Sequence, residues 1–529
     1  MTQLSSLVSK IIVAFQKCYT HKAKIYRKSI EIKDNQIFFM ILDLDDKSKR
    51  LIIIQPKKSV KKFEWNFIAE LSGIFTLKKE RLAFKFYVCP CNHNNAIKLR
   101  QYFPFTKPKP LGLSPAIGTG DRLGLATPGH IQALKGFKLS AVLAQQSIRE
   151  MERTRRNPDQ VIDDVSWLVF LEGFKGGFGA DADHLKRFED VKSTFKAGFT
   201  MYTIDPSDYV NDRADSYSIQ ELQDNFNALP WKTLKSSPLT CLRNYAEREW
   251  ILSDSELGSI KLIFTKEKIL RAAVKYGAAL AHTYKMYRYI KGLFGENPFD
   301  LEISVDETES PTSPHEHFYI VSELKRLNVK FQGLALKFTG KFEKAVDYIG
   351  CIDEFENEFR IHVIIAKSLG PYKLSIHSGS DKFSIYPILG KIAGDLIHLK
   401  TSGTSYLEAL RIIARHDPSL FREIVKYSIT RFDEDRKSYH VSLNLSTIPN
   451  PNSIPDEKLE DIFLNNAWGR QLLHITYGSI LTAEKKDGRW LFRDKITEIL
   501  ISNEDEHYEA VASHIRNHIK AVWGRLANN

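Results

Sequence analysis

The stretch that decides the fold lies between residues 118 and 205, which contain four polar clusters. They read Gly118-Thr119-Gly120-Asp121-Arg122, Glu172-Gly173-Phe174, Gly179-Ala180-Asp181-Ala182-Asp183-His184 and Thr203-Ile204-Asp205-Pro206-Ser207. Each cluster lies at or just after the carboxyl end of a short apolar run, and similar clusters follow at Asp306-Glu307 and at His377-Ser378-Gly379-Ser380-Asp381-Lys382. Catalytic groups of a (β/α)8 barrel come from the carboxyl ends of its strands, so the pattern predicts an active site of that architecture.

Apolar runs and helical patterns alternate from Leu111 onward, which is typical of a parallel sheet. Eight runs are strand candidates, at 114–117, 167–171, 199–204, 301–305, 333–337, 372–377, 396–400 and 440–445. Helical spacing of apolar residues is found between several of them, at 141–153, 314–327, 354–369 and 405–415. Eight strands with intervening helices predict an α/β fold, a closed (β/α)8 TIM-like barrel.

The barrel is predicted to occupy residues 111–448, preceded by a basic N-terminal α/β cap domain at 1–110. Three apolar runs of the cap read as strands between charged turns, at 37–42, 51–54 and 84–88. Pro104, Pro108 and Pro110 mark the linker, because proline interrupts both helices and central strands.

Two helical additions complete the predicted organisation. About 95 residues separate the third and fourth strand candidates, so 208–298 reads as a helical insertion with helices at 218–229 and 265–293. Residues 449–529 read as a C-terminal helical extension. Their amphipathic stretch, 506–526, is expected to pack on the barrel exterior.

Composition excludes several classes of protein. The 529 residues include only five cysteines, which makes a disulfide framework unlikely and predicts a reducing, cytoplasmic setting. No apolar run approaches the ~18 residues that a membrane helix needs, so no membrane association is expected. The N-terminus lacks the small-residue cleavage site of a signal peptide.

The net charge of +12 belongs to one end of the chain. Residues 1–110 contain 22 Lys and Arg against 8 Asp and Glu, which leaves the predicted catalytic region nearly neutral. We interpret the basic segment as a solvated lysine-rich surface, with docking on an anionic partner as the alternative. Binding of nucleic acid is therefore unlikely.

Five strings of the sequence resemble the tagaturonate epimerase family of hexuronate catabolism. They lie at Gly118–His130, Ala144–Thr154, Gly179–Lys186, His377–Ser384 and Lys400–Tyr406, and the resemblance extends over residues 112–446. It implies an isomerase that interconverts D-tagaturonate and D-fructuronate, uses a divalent metal, and acts on a small sugar acid.

The implied reaction constrains the chemistry. Counted from the carboxylate, the two keto-uronates differ at the third carbon and carry the ketone at the fifth. The C–H bond at the third carbon is not acidified by that ketone, so simple proton abstraction faces a prohibitive barrier. Retro-aldol cleavage between the third and fourth carbons, or transient oxidation by a nicotinamide, remain. No strand is followed by Gly-x-Gly-x-x-Gly, which disfavours the oxidation.

A retro-aldol route needs a sink for the enediolate, which a divalent metal supplies as a Lewis acid. Imidazole and carboxylate ligands suit zinc, manganese, iron or cobalt. The predicted ligands are His184, Glu307 and His377, each near a different strand end. Asp306 competes with Glu307, because adjacent strand residues point to opposite faces. The string Cys89-Pro90-Cys91-Asn92-His93 lacks zinc-knuckle spacing and is interpreted as structural.

Proton transfer and charge stabilisation require further groups. Asp121 and Asp183 are the predicted acid and base, although Asp121 also fits a turn or a helix N-cap. Lys337 and Lys400 end predicted strands and could pair with the substrate carboxylate or the enediolate oxygen. A buried lysine could instead form a Schiff base, which would make the metal unnecessary.

Four residues are predicted to bind the substrate. Arg122 could clamp the carboxylate through a bidentate contact. Ser378, Ser380 and Thr404 could hydrogen-bond the sugar hydroxyls. A class II aldolase or an epimerase of other ketoses is the nearest alternative function, and a carbohydrate- or polyanion-binding protein is the non-enzyme alternative. The sequence makes no prediction of oligomeric state.

Overall fold

The N-terminal domain is an antiparallel sheet between helices. The computed structural model describes residues 2–58, 70–78, 81–439 and 441–526. The elements of this domain are α1 Thr2–Cys18, β1 Ala23–Ile25, β2 Glu31–Lys33, β3 Gln36–Asp43, β4 Lys49–Pro56, β5 Glu70–Leu77, β6 Leu82–Pro90 and α2 His93–Tyr102. The strands pair in the order β1-β3-β4-β6-β5, with β2 joined to β3. The strands predicted from the three apolar runs are confirmed.

The first half of the barrel contains four strands. Its elements are β7 Ala116–Gly118, α3 Thr127–Ala133, β8 Ser140–Ser147, α4 Ile148–Thr154, α5 Pro158–Glu172, β9 Gly179–Leu185, α6 Phe188–Ala197 and β10 Met201–Ile204. The N-terminal sheet packs its Phe38 and Met40 against Trp167 and Phe170 of α5. Since α5 is an outer helix of the barrel, the N-terminal domain flanks the barrel wall.

The insertion after β10 contains more than helices. Its elements are α7 Ile219–Asn227, α8 Pro238–Tyr245, β11 Arg248–Asp254, β12 Gly258–Phe264 and α9 Lys266–Phe294. The two strands form an antiparallel hairpin that the expectation of a helical insertion did not include. In β11 and β12, more exposed residues alternate with more buried ones. This period of two extends over only a few residues, whereas the helical period of α9 extends over 29.

The second half closes the barrel and leads into the C-terminal helices. Its elements are β13 Asp300–Val305, α10 Pro314–Arg326, β14 Gly333–Leu336, α11 Ile352–Leu369, β15 Lys373–Ile376, α12 Tyr386–Ile392, β16 Ile397–Lys400 and α13 Thr404–His416. The helices that follow are α14 Pro418–Asp435, α15 Leu459–Phe463, α16 Ala467–Ile475, α17 Tyr477–Thr482, α18 Arg493–Ser502 and α19 Glu504–Trp523. Eight parallel strands close in the order β10-β13-β14-β15-β16-β7-β8-β9, which confirms the predicted (β/α)8 barrel.

Two of the predicted strands are not strands. Residues 167–171 lie inside α5, which begins with an Asn157 capping box and ends at Gly173 in the left-handed conformation. Residues 167–171 of this helix are apolar and buried, because they lie between the barrel and the N-terminal sheet, and the run therefore resembles a buried strand. At 440–445, residues 441–444 are irregular and Leu445–Thr447 is a 3₁₀ turn, while residue 440 lies outside the described residues.

Two strands of the barrel, β8 and β9, are not among the predicted strands. The predicted helix at 141–153 is strand β8 followed by the short helix α4, and the change occurs at Ser147, whose side chain forms a capping box with Glu150. Strand β9 is the polar string 179–185 itself. Its aspartates face the barrel interior and its alanines pack outward, so the strand carries no apolar run.

The final helix, α19, packs on the barrel exterior as expected. Val511, Ile515, Ile519 and Trp523 belong to the same core cluster as the barrel strands. No helix of the described segments is both long and apolar enough to cross a membrane. All five cysteines are free thiols, and Cys89 is buried in the N-terminal domain core, as a structural role requires.

The buried His518 of α19 is expected to make the fold acid-sensitive. Its Nε2 accepts the backbone N–H of Asp381 at 2.9 Å, and its Nδ1 donates to the carbonyl of His514 at 2.9 Å, so the neutral ring is required. Burial, together with His514, lowers the pKa of His518 to about 4. The unfolded chain therefore binds a proton that the native state does not between pH 6.5 and 4, and stability falls as the pH falls through this window, by up to roughly 3 kcal/mol.

Thermal unfolding between pH 7.5 and 4.5 measures this loss. The variant His518→Gln keeps an acceptor for Asp381 but does not titrate, so its melting temperature should fall less steeply with acid. His416→Gln, at an exposed position, is the matched control and should follow the wild type. Equal slopes for His518→Gln and the wild type would contradict the assignment.

Candidate active site

The interior of the barrel is lined by charged side chains from alternate strand positions. Strand residues two apart point to the same face. On β9 this brings Asp181 and Asp183 inward, and on β13 it brings Glu302. Lys400 comes from the end of β16 and Thr203 from β10. All five side chains are buried. The interior is thus a packed polar core that opens at the carboxyl ends of the strands.

Lys400 is the centre of this polar core. Its Nζ lies 2.9 Å from Asp181 Oδ2, 2.7 Å from Asp183 Oδ1 and 2.8 Å from Glu302 Oε1, and it donates to Thr203 Oγ1 at 2.9 Å. One ammonium group thereby joins strands β9, β10 and β13 to β16. A buried cation requires such partners, since an unpaired charge in this environment is very costly.

The cluster fixes the charge of its members. Burial alone lowers the pKa of Lys400, but the three carboxylates outweigh it and raise that pKa well above its ordinary value. Burial raises the pKa of Asp183 and of Glu302, yet Lys400 outweighs it and holds both pKa values well below their ordinary range. Asp181 differs: burial raises its pKa to about 6 in spite of Lys400. Lys400 is therefore an ammonium ion and not a free amine.

Two histidines and one aspartate meet at the mouth above this cluster. His184, Asp306 and His377 each offer one ligand atom, and these atoms lie within 4.8 Å of one another. His184 Nδ1 is 2.9 Å from Asp183 Oδ1, and His377 Nε2 is 2.7 Å from Glu302 Oε1. Metal-binding histidines are usually oriented by a carboxylate on the opposite ring nitrogen, and both rings have one.

The backbone at His184 supports a specialised role. Its φ is +55°, in the left-handed region that non-glycine residues seldom occupy. Strain of this kind is concentrated at functional sites, where the surrounding structure enforces it. His184 lies one residue before the end of β9, where the register against β10 shifts, and its imidazole lies beside that of His377, with ring centroids 5.0 Å apart.

Asp306 and Glu307 both follow the last residue of β13 and belong to two overlapping groups around His184. Asp306 Oδ1 lies 3.2 Å from His377 Nδ1 and is part of the group with both histidines. Glu307 is exposed and belongs to the second group, with His184 and Asp205. The structure therefore brings His184 and His377 together, with Asp306 in the group that contains both.

Asp121 and Arg122 are held by other parts of the protein. Asp121 accepts the backbone N–H groups of Leu123, Gly124 and Ala126 at 2.6–3.1 Å, which is the turn role considered as its alternative. Arg122 is buried and donates to Glu150 Oε1 at 2.9 Å. Its guanidinium lies 3.4 Å from the ring centroid of Tyr477. Both residues shape the loop after β7.

The remaining predicted residues come after the barrel strands, and three of them make hydrogen bonds within the protein. Lys337 Nζ donates to the carbonyl of Thr308. Thr404 Oγ1 donates to the carbonyl of Thr401 at 3.1 Å in the first turn of α13. The carbonyl of Ser380 accepts from Lys382 Nζ at 2.9 Å, and Ser380 is buried. Ser378 is partly exposed beside His377, with a φ of +48°.

Sequence reasoning missed Asp181, Glu302 and Thr203 as partners of Lys400. A signal was present in the string Ala180-Asp181-Ala182-Asp183, where acidic residues two apart inside a strand share one face. The same period places Glu302 on the face of Ser304 and Asp306. The sequence does not show which lysine these residues contact. Lys400 comes from β16, which pairs with neither β9 nor β13 in the barrel.

The chain is similar to known proteins over nearly its whole length. A family model described as tagaturonate epimerase matches residues 26–522. The tagaturonate/fructuronate epimerase of Thermotoga maritima is 41% identical over 516 residues, which cover 97% of this chain and all of the relative.

Solved structures agree with this. Two crystal structures of the fructuronate-tagaturonate epimerase UxaE from Cohnella laeviribosi, one with a glycerol bound and one native, are each 34% identical and cover 99% of both chains. Their TM-scores are 0.86 and 0.85. The resemblance found in the five strings is thus confirmed, and the chain belongs to the tagaturonate epimerase family of isomerases.

Proposed function

We propose that the protein interconverts D-tagaturonate and D-fructuronate by metal-dependent retro-aldol chemistry. The relatives from Thermotoga maritima and Cohnella laeviribosi are named for this pair of sugar acids. The observation that carries the proposal is the group of His184, Asp306 and His377, which lies at the mouth directly above a buried cluster of carboxylates and Lys400.

The bond that breaks lies between the third and fourth carbons. The hydroxyl proton on the third carbon is removed, that carbon becomes an aldehyde, and the bonding electrons pass to the fourth carbon and the ketone oxygen as an enediolate. Rotation of the aldehyde fragment and re-addition return the electron pair and the proton, with the third carbon inverted. No oxidant is needed, and the hydrogen on the third carbon stays in place.

The donor set fits a divalent cation of the zinc, manganese, iron or cobalt kind. His184, His377 and Asp306 would hold the ion, with Asp183 and Glu302 orienting the two rings. Asp306 replaces Glu307 in this set because it is the carboxylate in the group with both histidines. A bound divalent ion supplies Lewis-acid stabilisation of the developing enediolate charge.

Lys400 and Asp183 are proposed as positioning residues. Asp183 Oδ1 contacts Lys400 and His184, and its Oδ2 accepts from Gln145 at 3.1 Å, so neither oxygen is available as a base. Lys400 fixes the carboxylates that orient the histidines. A Schiff base requires a neutral amine, and the three carboxylates around Lys400 disfavour that form.

Glu307 is the carboxylate we propose for proton transfer. It is exposed at the mouth, and its ligand atom lies within 4.8 Å of those of His184 and Asp205. An exposed carboxylate beside the reacting centre can exchange its proton with substrate and solvent, as a general acid–base requires.

Substrate labelled with deuterium at the third carbon tests the route. The purified protein with added metal should convert labelled D-tagaturonate to D-fructuronate with full retention of the label and no primary isotope effect. A primary effect would indicate oxidation, and loss of label to solvent would indicate deprotonation. Accumulation of dihydroxyacetone and the three-carbon aldehyde acid would favour the aldolase alternative. No conversion of D-tagaturonate by wild-type protein would contradict the substrate itself.

A further inference from the structure

Arg149 follows β8 at the carboxyl ends of the barrel strands, the side on which the proposed metal ligands lie. Helix α4 begins immediately after β8, and Ser147, the last residue of β8, pairs in register with Asp183 of β9. Arg149 follows two residues later, next to the strand end that carries His184. Its side chain is exposed. Arg149 lies within the string Ala144–Thr154 that resembles the family, and it is not among the predicted site residues.

Arg149 differs from Arg122 and Arg156 in having no carboxylate in direct contact among the described residues. Arg122 is paired with Glu150 at 2.9 Å, and Arg156 with Asp164 at 2.5 Å. For Arg149, no ion pair or hydrogen bond of the guanidinium is found among the residues that the structure describes. A guanidinium at the mouth of an active site, left without a carboxylate partner, is suited to bind one from a ligand in bidentate fashion.

The surroundings hold the guanidinium over the mouth. Its carbon lies 5.4 Å from the ring centroid of Tyr439, whose hydroxyl accepts from Arg153 Nη1 at 2.6 Å. Stacking on an aromatic ring orients an arginine without neutralising it. Burial lowers the pKa of Arg149, but Tyr439, Glu307 and Glu150 outweigh this and raise it.

The strand order brings the backbone of Arg149 close to the strand that carries a proposed ligand. Strand β9, which contains His184, lies directly beside β8, and Ser147 of β8 pairs in register with Asp183. Arg149 therefore follows the strand end next to that of His184, on the side of the barrel where the strands end.

We propose that Arg149 binds the carboxylate of the sugar-acid substrate and makes the site specific for uronates over neutral ketoses. This rests on the proposed function, since the carboxylate is two carbons from the inverted centre. It replaces Arg122 in that role, because the guanidinium of Arg122 is buried and paired with Glu150.

The test compares kcat/KM for D-tagaturonate and for the neutral ketose D-tagatose. In Arg149→Met, kcat/KM for the uronate should fall by roughly 100-fold, mainly through KM, and by at least about 30-fold more than for the ketose. Arg149→Lys keeps the charge but not the fork, and should fall by about 10-fold. Inhibition by D-gluconate, an open-chain sugar acid, should weaken in the same order.

Arg155→Met is the matched control. Arg155 lies at the other end of α4, is exposed and pairs with Glu484, so its replacement removes the same charge from the same helix away from the mouth. Its kcat/KM should stay within about 3-fold of wild type. If Arg149→Met lost equal factors in kcat/KM for the uronate and the ketose, or if its inhibition by D-gluconate were unchanged, the inference would be overturned. The proposed function would still stand in that case, provided that the wild-type protein converts D-tagaturonate. Wild-type protein inactive on D-tagaturonate but active on the ketose would instead overturn both.

Discussion

Replacement of Lys400 by methionine is expected to cost both folding free energy and catalysis. It leaves Asp181, Asp183 and Glu302 buried without their shared cation. Removing one partner of a buried ion pair typically costs about 3–5 kcal/mol. Turnover should fall by at least about 100-fold, because the carboxylates that orient His184 and His377 lose their fixed positions.

Chemical denaturation and steady-state kinetics measure the two losses separately. Lys337→Met is the comparison, since that lysine only donates to the Thr308 carbonyl, and it should lose less than about 10-fold in turnover. Adding Asp181→Asn to Lys400→Met should recover part of the stability. Burial already raises the pKa of Asp181 to about 6, so its charge is the easiest of the three to remove.

Borohydride distinguishes the role of Lys400 from that of a Schiff base. Reduction in the presence of D-tagaturonate should leave wild-type protein active and its mass unchanged, because Lys400 is an ammonium ion held by three carboxylates. A substrate adduct on Lys400 after reduction would refute the positioning role and establish covalent catalysis.

Loss of the proposed metal ligands should abolish metal binding together with activity. His377→Ala and Asp306→Asn each remove one ligand of the group with His184, and turnover should fall by more than about 10³-fold, as expected when Lewis-acid stabilisation is lost. Elemental analysis of purified protein should then find little bound metal. EDTA should inactivate the wild type, and one of zinc, manganese, iron or cobalt should restore it.

Glu307→Gln separates ligand from proton-transfer roles at this site. It should retain metal at the wild-type level while losing about 10²–10⁴-fold in turnover, which is the range for a general acid–base. The opposite pattern, with metal lost in Glu307→Gln and retained in Asp306→Asn, would assign the ion to the second group of His184, Asp205 and Glu307.

The barrel could be predicted because six of its strands are short apolar runs, separated by stretches long enough to contain helices. Strand β9 could not, since its inward residues are Asp181 and Asp183 and its outward residues are small alanines. Residues 167–171 of helix α5 resemble a strand because the N-terminal sheet covers the outer face of the helix. The run therefore lacks the polar residues that identify a surface helix. Both errors come from long-range packing that one sequence does not display.

The candidate site divides in the same way. His184 and His377 could be found because each lies at the carboxyl end of a strand, and these strand ends meet at one edge. The partner of Arg122 could not, since Glu150 lies 28 residues away on helix α4 and only the folded chain brings them together. Arg149 lies in the same string as Glu150. It differs from Arg122 in being exposed, which the sequence does not show.

The position of α19 bears on when the protein can fold during synthesis. This helix contributes Val511, Ile515, Ile519 and Trp523 to the core cluster of the barrel, and its Glu504 accepts the hydroxyl of Tyr26 from the N-terminal sheet at 2.8 Å. A nascent chain in which α19 has not yet been synthesised leaves part of the barrel wall uncovered and the N-terminal sheet without this contact. The barrel can therefore be completed only after α19 has been synthesised, and a chain truncated before α19 would expose the apolar face that this helix covers.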